Sequence, residues 1–390
     1  MTLIAIHLLQ NHAPSNLNRD DNGDPKDALF GGVRRARISS QALKRSIRWS
    51  PSFRSAFAYT PELLATRTQL LPEEVRDRIA GLDLADEVKT AIVQAAARLG
   101  KGDARPADGA EAGADEGKKV KKGRQATPEA GGEERVKTAQ LMFLTGAEID
   151  RLAERLVVLA REQGLAALNS LGGDKLVAAI GEYEPHAADI AMFGRMTTSS
   201  PFKDVEAAVQ VAPALSTHAV EQEFDFYTAV DDISGEAGAG FIGEVSFNSA
   251  TYYKYLNIHW EGLVKNLQGD TAAATTAVRA LIQAAIFAIP SGKQNSFAAH
   301  NLPDVTMVEV RPQQIALAYH NAFVKPVRAQ RDVSLVEASA AALASYVPEI
   351  NGMYGLQAER AYLSTVPFKL DGARRCATLD ELLGWLPLSA

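Results

Sequence analysis

The chain has 390 residues, of which 46% are hydrophobic and 23% are charged, and its formal net charge at pH 7 is −6. This length and composition allow a large buried core and more than one lobe. The acidic balance excludes a protein that coats nucleic acid indiscriminately, so any nucleic-acid contact must come from a local basic patch. The single cysteine, Cys376, excludes an internal disulfide and a cysteine-built zinc site, which is consistent with a reducing cytoplasm.

Several other kinds of site are excluded by residue spacing. The seven histidines include no pair three or four residues apart, so we expect no metal site and no cofactor. No apolar run approaches the ~18 residues of a membrane span, so we expect no membrane partner. Residues Thr2 to Leu9 are apolar on both faces of an alternating pattern, which predicts a central strand and not a signal peptide. A polar loop is predicted from Gln10 to Asp27.

The next segment, from Ala28 to Pro61, is strongly basic and contains no carboxylate. Its cations are Arg34, Arg35, Arg37, Lys44, Arg45, Arg48 and Arg54. In a chain of net negative charge, so local a surplus indicates a surface that binds a polyanion. The alternative is an ordinary basic face in contact with solvent.

Part of this basic segment has the periodicity of a helix with one apolar side and one cationic side. A helix is predicted from Ala42 to about Trp49, with Ser39 or Ser40 as its N-cap. Leu43 and Ile47 fall on one side of this helix. The opposite side carries Gln41, Lys44, Arg45 and Arg48. We therefore expect an anchored helix whose cationic face and capped N-terminus both favour phosphate groups.

Helical patterns then continue to about Tyr183 and predict a separate helical lobe. Within it, Thr145 and Glu148 form a capping-box pattern before a long helix. The segment 100–134 has one large apolar residue, Val120, and cannot bury enough surface to offset its chain entropy. We predict that it is a disordered insertion.

Strand patterns return after His218. Two segments, Phe224 to Asp231 and Phe241 to Phe247, each show the alternating side-chain pattern of a strand. A glycine-rich tip separates them, which predicts a long hairpin. A strand with three tyrosines follows at Tyr252–Ile258, and these tyrosines are interpreted as packing residues in preference to base-stacking ones. Helices are predicted at Ala272–Ile289 and Leu335–Tyr346, and a strand at Asp304–Val310. This β-helix-β-β-helix-β order is typical of a ferredoxin-like domain.

Four blocks of sequence together resemble one family. They are Asn18-Arg19-Asp20-Asp21 with Lys26-Asp27; Phe30-Gly31-Gly32 through Ile38-Ser39-Ser40-Gln41 to Lys44-Arg45; Gly194-Arg195-Met196 with Thr198-Ser199; and Phe226-Tyr227-Thr228-Ala229-Val230-Asp231-Asp232. In this order and spacing they are similar to the CasC family of the RAMP superfamily, the backbone subunits of the type I-E CRISPR surveillance complex Cascade. The likeness covers about residues 2 to 50 and 187 to 330.

The resemblance implies an α+β fold shaped like a hand, with a ferredoxin-like (RRM-like) palm, an inserted lobe of helical fingers and a β-hairpin thumb. The expected parts are, in chain order, palm 1–59 with the basic helix, fingers 60–186, a palm or web segment 187–217, thumb 218–250, and the rest of the palm with C-terminal helices 251–390. The departure from the family is the insertion at 100–134.

The resemblance also implies a non-catalytic, RNA-binding function. Such a subunit is expected to assemble in several copies along a guide RNA (crRNA) and to present the spacer for pairing with target DNA. Its expected partners are crRNA, the target DNA strand, further copies of itself and the Cascade subunits CasA, CasB, CasD and CasE. The expected RNA-binding residues are Arg19, Lys26, Arg34, Ser39, Ser40, Gln41, Lys44, Arg45, Arg48, Met196, Tyr227, Thr228 and Ile242.

Within this set, the resemblance gives Met196 the role of an apolar wedge beside a displaced nucleotide, and places Tyr227, Thr228 and Ile242 near it on the thumb. Taken alone, a methionine is more often a core residue that fills a gap than a wedge. Cations that hold phosphates and apolar groups that stack on bases would together give binding that tolerates any sequence.

Two other functions compete with RNA binding: metal-dependent cleavage of RNA, and nucleotide binding. Asp20 and Asp27 flank the expected RNA face, and related RAMP subunits use an acidic loop residue to cut target RNA, so the alternative is a metal-dependent endoribonuclease. The segment Pro290-Ser291-Gly292-Lys293-Gln294 has a Gly-Lys pair but does not match the G-x-x-x-x-G-K-[ST] phosphate loop. For Lys293 we expect a contact with RNA or with an adjacent subunit.

Overall fold

The structure, a computed structural model, describes residues 2–99, 135–170, 173–197, 201–230, 232–233 and 237–388. The insertion predicted at 100–134 lies outside these residues. The protein has a mixed α+β fold with two compact units. The first unit comprises Met1–Leu63, Ala191–Gly194 and Glu206–Ala390, and the second comprises Leu64–Ile190 and Arg195–Val205.

The elements are numbered in chain order. The described strands are β1 (Leu3–Ser15), β2 (Asp27–Phe30), β3 (Val33–Ile38), β4 (Thr66–Thr68), β5 (Met142–Leu144), β6 (Val209–Val211), β7 (Ala214–Ser216), β8 (Glu223–Val230), β9 (Ala237–His259), β10 (Val305–Arg311), β11 (Glu359–Ser364) and β12 (Arg374–Arg375). The described α-helices are α1 (Ser40–Trp49), α2 (Pro51–Ser55), α3 (Leu71–Ile79), α4 (Asp86–Arg98), α5 (Gly146–Ser170), α6 (Gly173–Ile180), α7 (Ala188–Phe193), α8 (Trp260–Asn266), α9 (Thr271–Phe287), α10 (Gln294–Phe297), α11 (Leu335–Met353) and α12 (Leu379–Trp385).

One large sheet organises the first unit. Its strands follow the order β12-β11-β10-β1-β9-β7-β3-β2, and β6 and β8 also pair with β9. Strand β1 is antiparallel to both of its neighbours, so that Ile4 lies opposite Val310 on one side and Ile258 on the other. Because β1 has a partner at each edge and is covered on each face, every residue from Leu3 to Gln10 is buried. The predicted central strand is confirmed.

The strand predictions differ from the structure in several places. Phe241–Phe247 and Tyr252–Ile258 were predicted as two separate strands, but both belong to the continuous strand β9. Strand β1 continues to Ser15, so the loop predicted from Gln10 begins six residues too early. The polar side chains of Gln10 and His12 interrupt the apolar pattern, but the backbone still pairs with Tyr252 and Ala250 of β9. Strands β6 and β7 were not predicted, because three residues are too few to show an alternating pattern.

The predicted helices of the first unit are present. Helix α9 lies within two residues of its predicted bounds and buries an alanine-rich surface. Helix α11 begins at a capping box formed by Ser334 and Glu337 and runs past its predicted end, through Pro348, to Met353. A proline removes one helical hydrogen bond, but the buried side chains of Val347 and Asn351 on either side of it keep this turn packed.

A buried polar network lies between β1, β10 and α11. The carboxylate of Glu309 accepts hydrogen bonds from Tyr319 Oη at 2.8 Å, Arg311 Nη2 at 2.8 Å and Arg360 Nε at 2.5 Å. His7 Nδ1 lies 2.7 Å from the hydroxyl of Tyr253, and burial lowers the pKa of His7. Since every partner of Glu309 is a donor, the buried charge is compensated in place.

The tyrosines of β9 belong to the core. Tyr252, Tyr253 and Tyr255 are all buried. The hydroxyl of Tyr253 accepts a hydrogen bond from the backbone N–H of Tyr319 at 2.8 Å. The interpretation of these residues as packing residues is confirmed.

The second unit is mainly helical. Helices α3, α4 and α5 pack around a core that includes Val75, Ile92 and Leu152. The capping box predicted at Thr145 and Glu148 is present, with Glu148 N donating to Thr145 Oγ1 at 3.1 Å and Thr145 N donating to Glu148 Oε2 at 2.9 Å. None of the helices in the described part of the chain is long and apolar enough to cross a membrane.

One lysine of the sheet is buried, and its lowered pKa makes the stability of the fold depend on pH. Lys254 in β9 is buried opposite Leu8, and burial lowers its pKa from 10.5 to about 8. Between these two pKa values the unfolded chain holds a proton that the folded chain does not, so the free energy of unfolding rises with pH.

Relative to Lys254→Met, we expect the free energy of unfolding of the wild type to increase by roughly 1.4 kcal/mol per pH unit between about pH 8 and pH 9.5. The comparison cancels the opposite contribution of buried tyrosines such as Tyr252 and Tyr253, whose pKa is raised by burial. The measurement is urea unfolding at a series of pH values, kept below the range in which exposed tyrosines of the unfolded chain ionise. Lys254→Met should remove the increase. An equal slope in the wild type and this variant would contradict the assignment to Lys254.

Candidate nucleic-acid interface

The polar loop between β1 and β2 is fixed to the start of α1. Asn18 makes both connections: its Oδ1 accepts a hydrogen bond from Ser39 N at 2.8 Å, and its carbonyl oxygen accepts one from Lys26 N at 2.8 Å. The carbonyl oxygen of Lys26 in turn accepts from Arg37 N at 2.8 Å in β3. The backbones of Lys26, Ser39 and the following helix are therefore held side by side.

Helix α1 begins as the sequence predicts. Ser39 is its N-cap, and the hydroxyl of Ser39 accepts a hydrogen bond from Ala42 N at 3.3 Å. Ser39 itself is buried, whereas Ser40 is half-buried. The first helical turn has no acidic residue, so the positive end of the helix dipole is not neutralised there by a carboxylate of that turn.

The expected cationic face of α1 is present in part. Gln41 and Arg45 are exposed, Lys44 is half-buried, and the anchoring residues Leu43 and Ile47 are buried. Arg48 differs from the prediction, because only 8% of it is exposed. Helical periodicity fixes the direction of a side chain but not what covers it, and α1 contacts the following helix α2. The exposed cations of α1 therefore end at Arg45, whereas Trp49 one turn later is also exposed.

The two adjacent arginines of β3 have different environments. Arg34 is exposed and forms an ion pair with Asp27, with 2.7 Å between Nη1 and Oδ2. Such exposed pairs contribute about 0 to 1 kcal/mol, so Arg34 can exchange Asp27 for another anion. Arg35 is completely buried, and its guanidinium donates to the carbonyl oxygens of Phe323 at 2.7 Å and Ser216 at 3.3 Å. Arg35 is therefore a structural residue and not part of a polyanion surface.

The hairpin β2–β3 is also locked by close backbone contact. Arg35 Nη2 donates to the carbonyl oxygen of Val324 at 3.2 Å. Gly31, in the turn of the hairpin, has φ of +61°, and a Cβ atom there would collide with the same carbonyl oxygen. Only glycine fits this turn, since the position combines a left-handed conformation with a close approach.

The acidic residues of the loop have structural partners. Asp20 Oδ1 accepts hydrogen bonds from the backbone N–H groups of Asn22 at 2.9 Å and Asp24 at 3.0 Å, and Asp27 pairs with Arg34. Within the residues that the structure describes, no group of three or more His, Cys, Asp and Glu side chains is placed to hold a metal ion.

The predicted hairpin is formed by β8 and β9, and it presents aromatic residues to solvent. Tyr227 lies opposite Gly243, where a Cβ atom would collide with the tyrosine ring, so the ring covers the glycine. Thr228 is exposed. Its backbone pairs with Ile242, whose side chain lies outside the described residues. The hairpin thus carries an exposed ring whose position is fixed from the opposite strand.

Sequence reasoning missed two residues of this hairpin. Phe224 and Phe226 are both exposed and lie on the same face as Thr228. Their cross-strand partners are Ser246 and Glu244. Polar partners opposite two phenylalanines were a usable signal that this face is not a core face.

Met196 is exposed, in the second unit. Its exposed fraction is 86%, so the core interpretation of this methionine is wrong. Its neighbours are anchored: Arg195 Nη1 forms a buried ion pair with Glu148 Oε1 at 2.8 Å, and Thr197 Oγ1 donates to the carbonyl oxygen of Phe202 at 2.8 Å. The adjoining Thr198 and Ser199 lie outside the described residues. Met196 is thus an apolar side chain held outward by fixed flanking residues.

A second basic segment was also missed. Lys325, Arg328 and Arg331 are exposed in the loop that follows the 3-10 helix at His320–Phe323. This 3-10 helix packs in the core cluster that contains Leu343 and Tyr253, together with α11. Three cations within seven residues were a usable signal in the sequence.

Comparison with known proteins gives a consistent result. The family model for CT1975-like proteins matches residues 4–385. A chain from a "CRISPR RNA-guided surveillance complex, pre-nicking" is 27% identical with a TM-score of 0.76, and the match covers 98% of this chain and 99% of that one. A chain from another "CRISPR RNA-guided surveillance complex" is 23% identical with a TM-score of 0.67 and the same coverage, which supports the fold alone. Among the curated proteins none matches.

The contrast between the two arginines of β3 can be tested directly. Arg35→Met leaves several buried carbonyl oxygens without a donor, so we expect a loss of about 3 kcal/mol in the free energy of unfolding. Arg34→Met, the matched control on the neighbouring exposed position, should change it by less than about 0.5 kcal/mol. Both are measured by urea unfolding followed by circular dichroism. Equal losses in the two variants would refute the structural role of Arg35.

Proposed function

This chain belongs to the family of CT1975-like proteins, and from that premise we propose that it is a non-catalytic backbone subunit that binds guide RNA. It is a CasC-like component of a CRISPR RNA-guided surveillance complex, as the four sequence blocks indicated. The observation that carries the finer proposal is the pair of hydrogen bonds from Ser39 and Lys26 to Asn18, because they place two basic segments on one surface.

The proposed phosphate contacts are made by this surface. Arg19 and Arg45 are exposed, Lys26 is half-buried, and none of the three forms an ion pair with another described residue. Ser40 and Gln41 add polar groups at the start of α1, and Lys44 adds a further cation. We leave Arg48 out of these contacts because it is buried. Contacts to phosphate alone would hold a strand without selecting its sequence.

The bases are proposed to meet apolar and aromatic side chains. Phe224, Phe226 and Tyr227 on the hairpin β8–β9 and Met196 in the second unit are exposed, as a stacking or wedge role requires. Base-aromatic stacking is tolerant of sequence, since every base has a π-face. In this proposal the hairpin is the thumb, and the base edges remain available to pair with a target DNA strand.

The chain order of the first unit supports a ferredoxin-like palm. The elements β1, α1, β7, β9, α9 and β10 follow the order β-helix-β-β-helix-β, and β10, β1, β9 and β7 are consecutive neighbours in the sheet. The second unit is proposed to form the fingers. Further copies of this chain along the crRNA, and the subunits CasA, CasB, CasD and CasE, are the proposed protein partners.

The phosphate contacts can be tested by the salt dependence of RNA binding. Each phosphate neutralised on a single strand contributes about 0.7 to the slope of log K against log salt concentration. We expect the triple variant Arg19→Ala, Lys44→Ala, Arg45→Ala to lower this slope by about 2 and to weaken binding of single-stranded RNA. The measurement is fluorescence anisotropy at a series of salt concentrations.

The matched control removes the same charge from another place. Lys369→Ala, Arg374→Ala, Arg375→Ala changes three exposed cations near the C-terminus and should leave the slope unchanged. If both triple variants lower the slope equally, binding follows net charge and the proposed surface is wrong.

The endoribonuclease alternative is tested on the assembled complex. Incubation with Mg²⁺ and RNA complementary to the guide should yield no cleavage products, because Asp20 and Asp27 are engaged by backbone N–H groups and by Arg34. Periodic cuts that disappear in Asp20→Ala or Asp27→Ala, but persist in the control Asp21→Ala, would overturn the non-catalytic proposal.

A further inference from the structure

A cavity of about 410 Å³ lies beside the basic face of α1, within the first unit. Its wall includes Arg45, Ser46 and Trp49 from α1 and Phe287 and Gly292 from the end of α9 and the segment after it. The volume is within the range of small-ligand sites in proteins, about 300 to 1,000 Å³. The phosphate contacts proposed above involve Arg45 but leave the cavity itself unexplained.

The cavity contains exposed aromatic surface. Trp49 is 56% exposed, and Phe287 is also exposed. The guanidinium of Arg54 lies over the Trp49 ring, with Cζ 5.1 Å from the ring centroid, and this cation–π contact fixes the orientation of the ring. A large aromatic side chain that is held in place at a cavity wall is a suitable surface for a flat ligand to stack on.

The charge of the cavity identifies the kind of flat ligand. Arg45 lines it and is exposed, and its guanidinium forms no ion pair with another described residue. An aromatic ring next to a cation on a helix that faces phosphates fits a ligand with a planar base and an anionic backbone. A nucleobase of a single strand has both parts.

Two serine hydroxyls of the wall, those of Ser46 and Ser50, provide little base selectivity. The hydroxyl of Ser46 donates to the carbonyl oxygen of Ala42 at 2.8 Å, and that of Ser50 donates to the carbonyl oxygen of Ile47 at 2.8 Å. Both hydroxyl protons are therefore used. Ser50 Oγ also accepts a hydrogen bond from Phe53 N at 3.1 Å, so of the two only Ser46 keeps its full accepting capacity. Stacking on an aromatic ring tolerates any base, since every base has a π-face.

The segment Pro290-Ser291-Gly292 also lines the cavity. This segment does not match a phosphate loop, but it has a place in the wall of this cavity. Gly292 packs against the polar loop: a Cβ atom there would collide with the carbonyl oxygen of Leu17. The cavity and the loop that carries Arg19 are therefore in direct contact.

We propose that this cavity binds one nucleobase of the single strand whose phosphates contact α1, stacked on Trp49. The inference rests on the proposed RNA-binding function and adds a base-binding site to it. Trp49 is the residue that the site depends on, and Arg45 positions the adjoining phosphate.

The test compares two strands on the full-length chain: a short oligouridylate, and an abasic strand of equal length. Trp49→Ala should weaken binding of the oligouridylate about tenfold, the range expected for loss of one stacked base, and leave binding of the abasic strand unchanged. Trp49→Phe should retain most of the affinity. Tyr354→Ala removes an exposed aromatic residue at the end of α11 and should affect neither strand.

Three results would overturn the inference. If Trp49→Ala weakens both strands equally, or neither, the cavity does not hold a base while the phosphate surface stands. If Trp49→Ala instead changes the oligomeric state in the absence of nucleic acid, the cavity receives a second copy of the chain. If the wild type binds neither strand, the proposed RNA-binding function is itself wrong.

Discussion

The burial of the Arg35 guanidinium is the constraint on which the basic surface depends. It joins β3 to β7 and to the C-terminal end of the 3-10 helix by donating to the carbonyl oxygens of Ser216, Phe323 and Val324. Burial lowers the pKa of Arg35, and hydrogen bonds to carbonyl dipoles offset part of the cost of burying the charge. Helix α1 begins directly after β3. The strand that leads into the cationic helix is therefore fixed by a basic residue that is itself buried.

The sequence allowed the local structure of this surface to be predicted. The cap at Ser39, the helix after it and the buried positions of Leu43 and Ile47 follow from side-chain chemistry and helical period. Alternation along β3 also places Arg34 and Arg35 on opposite faces. Which of these two faces is covered, and that Arg48 is covered too, depends on elements distant in the chain. Local patterns carry no information about such contacts.

The same limit explains the other differences. Strand β1 continues through Gln10 and His12 because β9 offers backbone partners there, which overrides the polarity of the side chains. Met196 was ambiguous in the sequence because methionine suits both a core and an exposed apolar site. The residue before it is held by the ion pair of Arg195 with Glu148, 47 residues earlier in the chain, which no spacing rule connects.

The arrangement of the first unit has a consequence for binding. Backbone hydrogen bonds through Asn18 fix the loop of Arg19 and Lys26 before any ligand arrives, so little chain entropy remains to be lost on binding. The aromatic side chains of Phe224 and Phe226 remain in water in the unbound chain, and covering them releases about 25 cal/mol for each Å² of apolar surface. Pre-positioned cations and uncovered rings favour the same ligand, a flexible polyanion that carries flat apolar groups.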